Sequence, residues 1–418
     1  MTPRAPLLFV TSPNGGLAHY VAHLLDPVSE WARPHVVTWG DDPVDDLLAA
    51  RHPDVAPLLD PARASSIRDV AAFARMRGVQ AVNVHVAVRA ARYSGMLSAL
   101  LDEFRRRSVR VILTLHDGTG APDREAALPA LRRVCARADA FIVGHEMERP
   151  RLAAALPLGS RPVVVAPHGP YTLFDRRRFD PRSARRALGL PEAGPVVLFF
   201  GSARPWKGLD VLLEAWPIVR RRVPDAILCV VSGMHYAPEW EGRLRSATTG
   251  GAGDGLQVRL GYAPSSSVEA CFRAADVVAL PYLWSSQSGV LNLARAFHRP
   301  VVVTHAFREA PEIDGVSGRV VPVGDASALA GALAELLGLS SLERVVLGLR
   351  GLRLAQELRG WDRGAAALHE ASAGPRYRAA PTGAAGVAVA AGALSAPAAR
   401  MPSSSQRKRP SSSSCASR

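Results

Sequence analysis

The chain has 418 residues, 48% of them hydrophobic and 21% charged, enough for one large core or two medium ones, and two domains are expected. It contains no apolar run long enough to span a membrane as a helix, and its four cysteines (Cys135, Cys229, Cys271, Cys415) are too scattered to suggest a zinc site or a disulfide framework. The net charge of +14 is uneven: residues 1–170 carry +3, residues 171–373 carry +4, and the last 45 residues carry +7 with no acidic side chain, so the body needs no polyanionic partner and no nucleic acid is expected.

The N-terminal segment "MTPRAPLLFVTSPNGG" has one arginine and a short apolar run before turn residues begin. That is too brief for a secretory signal; it reads as a first strand, and a cytoplasmic location is expected. Strand-like runs follow at 7–12, 35–39, 81–86, 110–116, 140–145 and 163–168, with helical apolar spacing between most of them. The Pro/Gly/Arg stretch "HGPYTLFDRRRFDPRS" (168–183) separates these from a second series at 196–201, 226–232, 257–262, 277–281 and 301–304. Near-continuous β-branched runs alternating with helices predict parallel sheets covered on both faces. The fold class is therefore α/β, with two doubly wound domains in tandem. In such sheets ligands sit beyond the carboxyl ends of the strands, so the chemistry is sought at the strand ends, in the cleft between the domains.

After the first strand, "SPNGGLAHYV" places Gly15 and Gly16 at the opening of a helix, where backbone amides can approach a ligand, although a plain tight turn would look the same. The pattern is not GxGxxG, which argues against a dinucleotide fingerprint. The four aspartates of "GDDPVDDLLAA" (40–50) precede or open a helix, whose dipole favours them without a metal; no metal site and no cofactor are expected. "LTLHDGTG" puts His116 and Asp117 at a strand end, and His85 lies one strand earlier as a weaker candidate.

In the second series, "FFGSARPWKG" (199–208) is a strand, a glycine turn and the start of a helix, with Arg204 and Lys207 in the turn. Two cations beside helix amides suit an anion such as a diphosphate. Lys207 is the only lysine in the first 407 residues; the other basic residues up to that point are arginine. Keeping a lysine here suggests a compact point charge that a planar guanidinium does not replace. "LPYLWSSQSGVLNLARAFHRPVVVT" then sets Ser288, Gly289 and Val290 at a second helix opening, a second anion cradle unless Ser288 is an ordinary N-cap.

These motifs resemble the GT-B glycosyltransferases of the large retaining family 4, glycosyl transferases group 1. The resemblance runs from about residue 6 to 372 and is most specific in "LFFGSARPWKG", "AADVVALPY", "SQSGVLNLARAFHRPVVVT" and "APEIDGVSGRVVPVGD"; "NGGLAHYV", "LTLHD" and "VAPHGPY" extend it to the first half. It implies two Rossmann-like domains facing across a cleft: an acceptor-side domain at 1–172 and a donor domain at 173–358. A helix at 359–374 would cross back to the first domain, and the Ala/Ser/Pro/Gly-rich tail at 375–418 is expected to be disordered. It further implies that Gly15 and Gly16 lie near sugar and phosphates, that His116 sits by the transferred sugar, and that Arg204 and Lys207 grip the donor diphosphate. Glu312 matches the family's "PE" glutamate and, with Glu309, is a candidate for contacting sugar hydroxyls.

The chain departs from that pattern in two ways. The family's two glutamates eight apart fall on Ser285 or Ser286 and on Leu293 or Ala294, so both acids are missing and Asn292 becomes the neighbouring candidate for the donor ribose. The family's turn arginine is shifted from Ser202 to Arg204. The implied activity is retaining transfer of a sugar from a nucleotide-sugar to a hydroxyl acceptor (glycan, lipid-linked sugar or small molecule), by front-face attack. A catalytically degenerate GT-B nucleotide- or sugar-binding protein is the alternative, supported by the missing glutamates. "EFRRRSVR" (103–110) and "SQRKRP" leave open a peripheral contact with an acidic membrane surface.

Overall fold

The computed structural model describes residues 4–374 except 40–41, 88–92, 117–123, 157, 234–241, 243 and 245–254, and without the side chains of 124–126. Asp117 and the tail 375–418 therefore lie outside the described residues. The described residues form one compact unit containing two parallel sheets.

The first sheet comprises β1 (Ala5–Thr11), β2 (Ala32–Trp39), β3 (Ala56–Leu59), β4 (Ala81–Val86), β5 (Arg110–Leu115), β6 (Ala140–Val143) and β7 (Val163–Val165), in the order β3-β2-β1-β4-β5-β6-β7. The second comprises β8 (Val196–Phe200), β9 (Ile227–Ser232), β10 (Leu256–Leu260), β11 (Val277–Leu280), β12 (Val301–Thr304) and β13 (Gly318–Val321), in the order β10-β9-β8-β11-β12-β13. Both are doubly wound, and the strand order reverses between β1 and β4 in one and between β8 and β11 in the other.

Alternation explains why both faces must be covered. On β1, Leu7 and Phe9 enter one core while Leu8 and Val10 enter another. On β8, Val196 and Leu198 point one way, Val197 and Phe199 the other, and all four are buried. Successive side chains of a strand face opposite sides, so an unbroken apolar run needs helices above and below. The edge strands β3 and β13 are absent from the runs read in the sequence. "APLL" carries Pro57 and "GRVV" opens on Gly318, so propensity hides both. Gly318 is required there: a Cβ would stand 2.0 Å from the Val301 carbonyl oxygen.

The connection after β7 binds the two sheets together. Helix Trp361–Ala373 packs on β6, β7 and the first helix, Gly15–Ser29. Trp361 Nε1 donates to the Pro170 carbonyl at 2.8 Å, and its ring stacks on Tyr171 at 5.6 Å between centroids. Gly169 makes room for this contact, since a Cβ would lie 2.7 Å from Trp361 Nε1. Among the described residues no helix is long and apolar enough to cross a membrane.

Candidate active site

The switch point of the second sheet places the turns after β8 and β11 side by side. The β8 turn runs through Gly201 to a short 3-10 helix, Pro205–Lys207, and then through Gly208 into helix Leu209–Arg222. Gly208 adopts φ 65°, and a Cβ there would stand 2.0 Å from the Pro281 carbonyl oxygen, so only glycine lets the turns close. The Leu283 amide donates to the Trp206 carbonyl at 2.8 Å, tying one turn to the other.

Tyr282, which the sequence reading did not single out, joins the two candidate anion cradles. Lys207 Nζ stands 3.6 Å from the centroid of its ring, and Ser288 Oγ donates to its hydroxyl at 3.4 Å. Ser288 is also the N-cap of helix Gly289–Ala296, its Oγ accepting from the Leu291 amide at 3.2 Å. Burial pushes the Tyr282 hydroxyl up to about 12, so it remains neutral beneath the ammonium. Arg204 lies over Trp206, its guanidinium carbon 5.0 Å from the ring. Gly201, at φ 101°, lets the β8 turn pack against Val290 in the first turn of the neighbouring helix.

Across the cleft, the carboxyl ends of β1, β4 and β5 carry Gly15, His85 and His116. Gly15 has φ 73°, and its amide donates to the Tyr262 hydroxyl of the second domain at 3.2 Å; Gly16 follows in the helix. His85 Nδ1 and His116 Nε2 are 2.8 Å apart, with the rings stacked at 5.1 Å. The Tyr20 ring meets His85, His116, His168 and Trp361 at 4.6–5.4 Å. Burial holds His85 down at about 3, helped by the nearby His168. Burial also holds His116 well below the ordinary imidazole range, with repulsion from His85 adding to it. The pair is therefore neutral and shares a single hydrogen bond.

The remaining candidates are drawn toward the domain junction. Asn292 Nδ2 donates to the His168 carbonyl at 3.4 Å, Asn292 Oδ1 accepts from Arg295 at 3.3 Å, and the Tyr171 amide donates to the Asn292 carbonyl at 3.3 Å. Glu312 Oε1 accepts from Arg359 Nη2 at 2.6 Å. Glu309 is close enough to His145 to oppose the lowering of its basicity by burial and by Arg308. Arg308 spans the cleft to Glu148 Oε1 at 2.7 Å and His145 Nδ1 at 3.2 Å. Neither His145, Glu148 nor Arg308 belongs to a motif, because only the fold brings them together. In the aspartate-rich segment, Asp45 caps its helix by accepting from the Leu47 amide at 2.9 Å. Among the described residues no group of three or more His, Cys, Asp or Glu is arranged to hold a metal ion.

Residues 194–338 match the family model described as glycosyl transferases group 1. The chain is 30% identical over 293 residues to the GDP-mannose-dependent alpha-(1-6)-phosphatidylinositol monomannoside mannosyltransferase of Mycolicibacterium smegmatis, covering 66% of this chain and 74% of that one. It is 31% identical over 268 residues to the D-inositol 3-phosphate glycosyltransferase of Salinispora arenicola, covering 60% of this chain and 58% of that relative. Among solved structures, Anabaena HepE in complex with UDP and glucose superposes with a TM-score of 0.68 at 16% identity, covering 88% of this chain and 99% of that one. Sucrose-phosphate synthase from Thermosynechococcus elongatus superposes at 0.63 with 19% identity, covering 88% and 98%. Two doubly wound domains, a cleft at their switch points and this degree of identity lead to one conclusion: the chain belongs to the group 1 glycosyl transferases and is a glycosyltransferase of the GT-B fold.

Proposed function

We propose that the protein transfers a sugar from a nucleotide-diphosphate-sugar to a hydroxyl acceptor with retention of configuration, the donor diphosphate lying between the β8 and β11 turns. The observation that carries this reading is the Lys207–Tyr282–Ser288 connection, which sets a lysine ammonium and a helix N-terminus beside one another at the switch point. Arg204 and Lys207 supply cations there, and the Gly289 and Val290 amides supply oriented dipoles. Charge growing on the departing diphosphate is met by groups already in position, which lowers the barrier more than binding alone would.

In the proposed step the bond from the anomeric carbon to the phosphate oxygen breaks, and the acceptor oxygen bonds to the same face of that carbon. The acceptor's proton passes to an oxygen of the leaving phosphate. No protein carboxylate nucleophile is needed, in keeping with the serines at positions 285 and 286. Neutral His116, oriented by His85, orients a sugar hydroxyl, and the Gly15 and Gly16 turn approaches the donor from the first domain. The relatives named above act on phosphatidylinositol monomannoside and on D-inositol 3-phosphate, which supports an acceptor presenting a ring hydroxyl.

The test incubates the protein with GDP-mannose or UDP-glucose and an inositol-containing acceptor, follows release of the nucleoside diphosphate, and reads the product anomer by NMR. A product with the donor's anomeric configuration supports the reading. An inverted product would refute front-face transfer, and absence of release with any nucleotide-sugar would refute the donor assignment.

A further inference from the structure

Arg308 follows β12, and its guanidinium reaches across the cleft to the start of helix Glu148–Ala155 in the first domain. Its Nη2 donates to Glu148 Oε1 at 2.7 Å, and its Nη1 donates to His145 Nδ1 at 3.2 Å. Among the described residues this is the one ion pair between the two sheets' domains, and its side chains are only 18% and 7% exposed. Glu148 also lies 3.7 Å from the exposed Arg151, one turn along its own helix. Parting a buried pair is costly chiefly when it strands a charge, and Arg151 keeps a cation beside Glu148 when Arg308 withdraws. Next to the pair, His116, His145, Glu148, Gly144, Ser286 and Gln287 border a recess of about 10 Å³, room for one water. Gln287 closes that recess by resting on Gly144, where a Cβ would stand 1.0 Å from Gln287 Nε2.

We propose that Arg308 and Glu148 form a reversible latch, which holds the His116 side of the cleft shut and must part before a substrate reaches His116 or a product leaves it. The recess is far too small for a sugar ring, so access to His116 along this side requires the β11 and β12 turns to move away from β6. Arg308–Glu148 is the charged contact that such a movement breaks, and Gln287 on Gly144 is the packing contact beside it. Passing Glu148 from Arg308 to Arg151 leaves its carboxylate accompanied in both positions. Packed surfaces of this kind switch between two arrangements rather than deforming gradually, and opening steps limit turnover in many enzymes. Arg308 is thereby a positioning residue that acts through the spacing of the domains. The latch stands on these contacts alone; its part in turnover rests on the reading that the transferred sugar meets His116.

Hydrogen exchange followed by mass spectrometry on the full chain tests the latch, comparing wild type with Arg308→Gln, Glu148→Gln and the double variant. In each single variant, segments 144–148 and 284–288 are expected to exchange about five- to tenfold faster, between the effects of an exposed and a buried pair. Exchange in β8 and β9 is expected to stay unchanged. The double variant is expected to be no faster than the faster single one. Salt at 1 M, where charges are screened beyond about 3 Å, is expected to accelerate wild type but not the double variant. Unchanged exchange in the single variants, additive increments in the double, or equal acceleration of β8 and β9 would overturn the latch. In transfer assays with GDP-mannose or UDP-glucose, Arg308→Gln is expected to raise kcat about threefold, because opening no longer waits on the pair. A kcat equal to or below that of wild type would overturn its part in turnover. If wild type transfers from no nucleotide-sugar, the proposed function fails, while the exchange result still decides the latch.

Discussion

The Lys207 ammonium stands 3.6 Å from the centroid of the buried Tyr282 ring, and that ring's hydroxyl is bonded to the N-cap of the next helix. A cation held over a π face is worth about 0.5–2 kcal/mol between exposed and desolvated sites, and Lys207 is half-buried, so the ring helps to hold the ammonium where the two turns meet. Tyr282→Leu removes the face and the hydroxyl, and donor affinity is expected to fall about tenfold or more. Tyr282→Phe keeps the face and is expected to retain affinity within about threefold. Titration with the preferred nucleoside diphosphate checks both; equal losses in the two variants would show that the hydroxyl matters rather than the ring.

Lys207→Arg keeps a positive charge but spreads it over a wide planar fork beside Trp206. Donor affinity is expected to recover relative to Lys207→Ala, while the rate of the chemical step recovers only in part. Lys207→Ala is expected to lose about a hundred- to a thousand-fold in turnover, the scale of one transition-state donor. Single-turnover transfer at saturating donor separates these effects, and a fully active Lys207→Arg protein would show that the lysine's shape is immaterial.

The paired turns were legible in the sequence because each carries its own local signature: glycine turn, cations and helix start in one, serine cap and helix start in the other. The residue that joins them was not. Tyr282 sits in "LPYLW", where a tyrosine after a buried strand looks like core, and its partner Lys207 is 75 residues earlier in the chain. His145, Glu148 and Arg308 were missed for a similar reason, since a cross-cleft ion pair has no spacing to detect. Asn292 and Glu312 were named from motif offsets, and the side-chain directions that turn them toward His168 and Arg359 depend on the domain junction.

Gly208→Ala tests the closeness of the turns. A non-glycine residue at φ 65° costs about 1–2 kcal/mol, and the added Cβ meets the Pro281 carbonyl as well. The midpoint of urea unfolding is expected to fall, with diphosphate affinity falling alongside it. A variant as stable as wild type would mean that the β8 turn stands away from the β11 strand end.

The buried imidazoles predict acid sensitivity. His23 Nδ1 donates to the His19 carbonyl at 2.7 Å and His23 Nε2 accepts from the Leu173 amide at 3.2 Å, which requires the neutral ring. Burial holds His23 and His85 at about 3. Each lies below its unfolded value of about 6.5, so the unfolded chain binds more protons between those limits. The stability they confer is complete above about pH 6.5 and is lost as pH falls toward 3, at about 1.4 kcal/mol per pH unit for each ring. Urea midpoints measured from pH 7.5 to 4.5 should decline steadily below 6.5; a flat or rising profile would contradict neutral burial.

A donor diphosphate lying between the β8 and β11 turns would touch the Lys207 ammonium, which titration of wild-type and Lys207→Ala protein with UDP, GDP, ADP and TDP reads out. At least one diphosphate is expected to bind wild type and raise its stability, by about 2.7 kcal/mol at a hundred times the dissociation constant, and Lys207→Ala is expected to weaken that binding at least tenfold. Failure of all four to bind, or undiminished binding by Lys207→Ala, would contradict it.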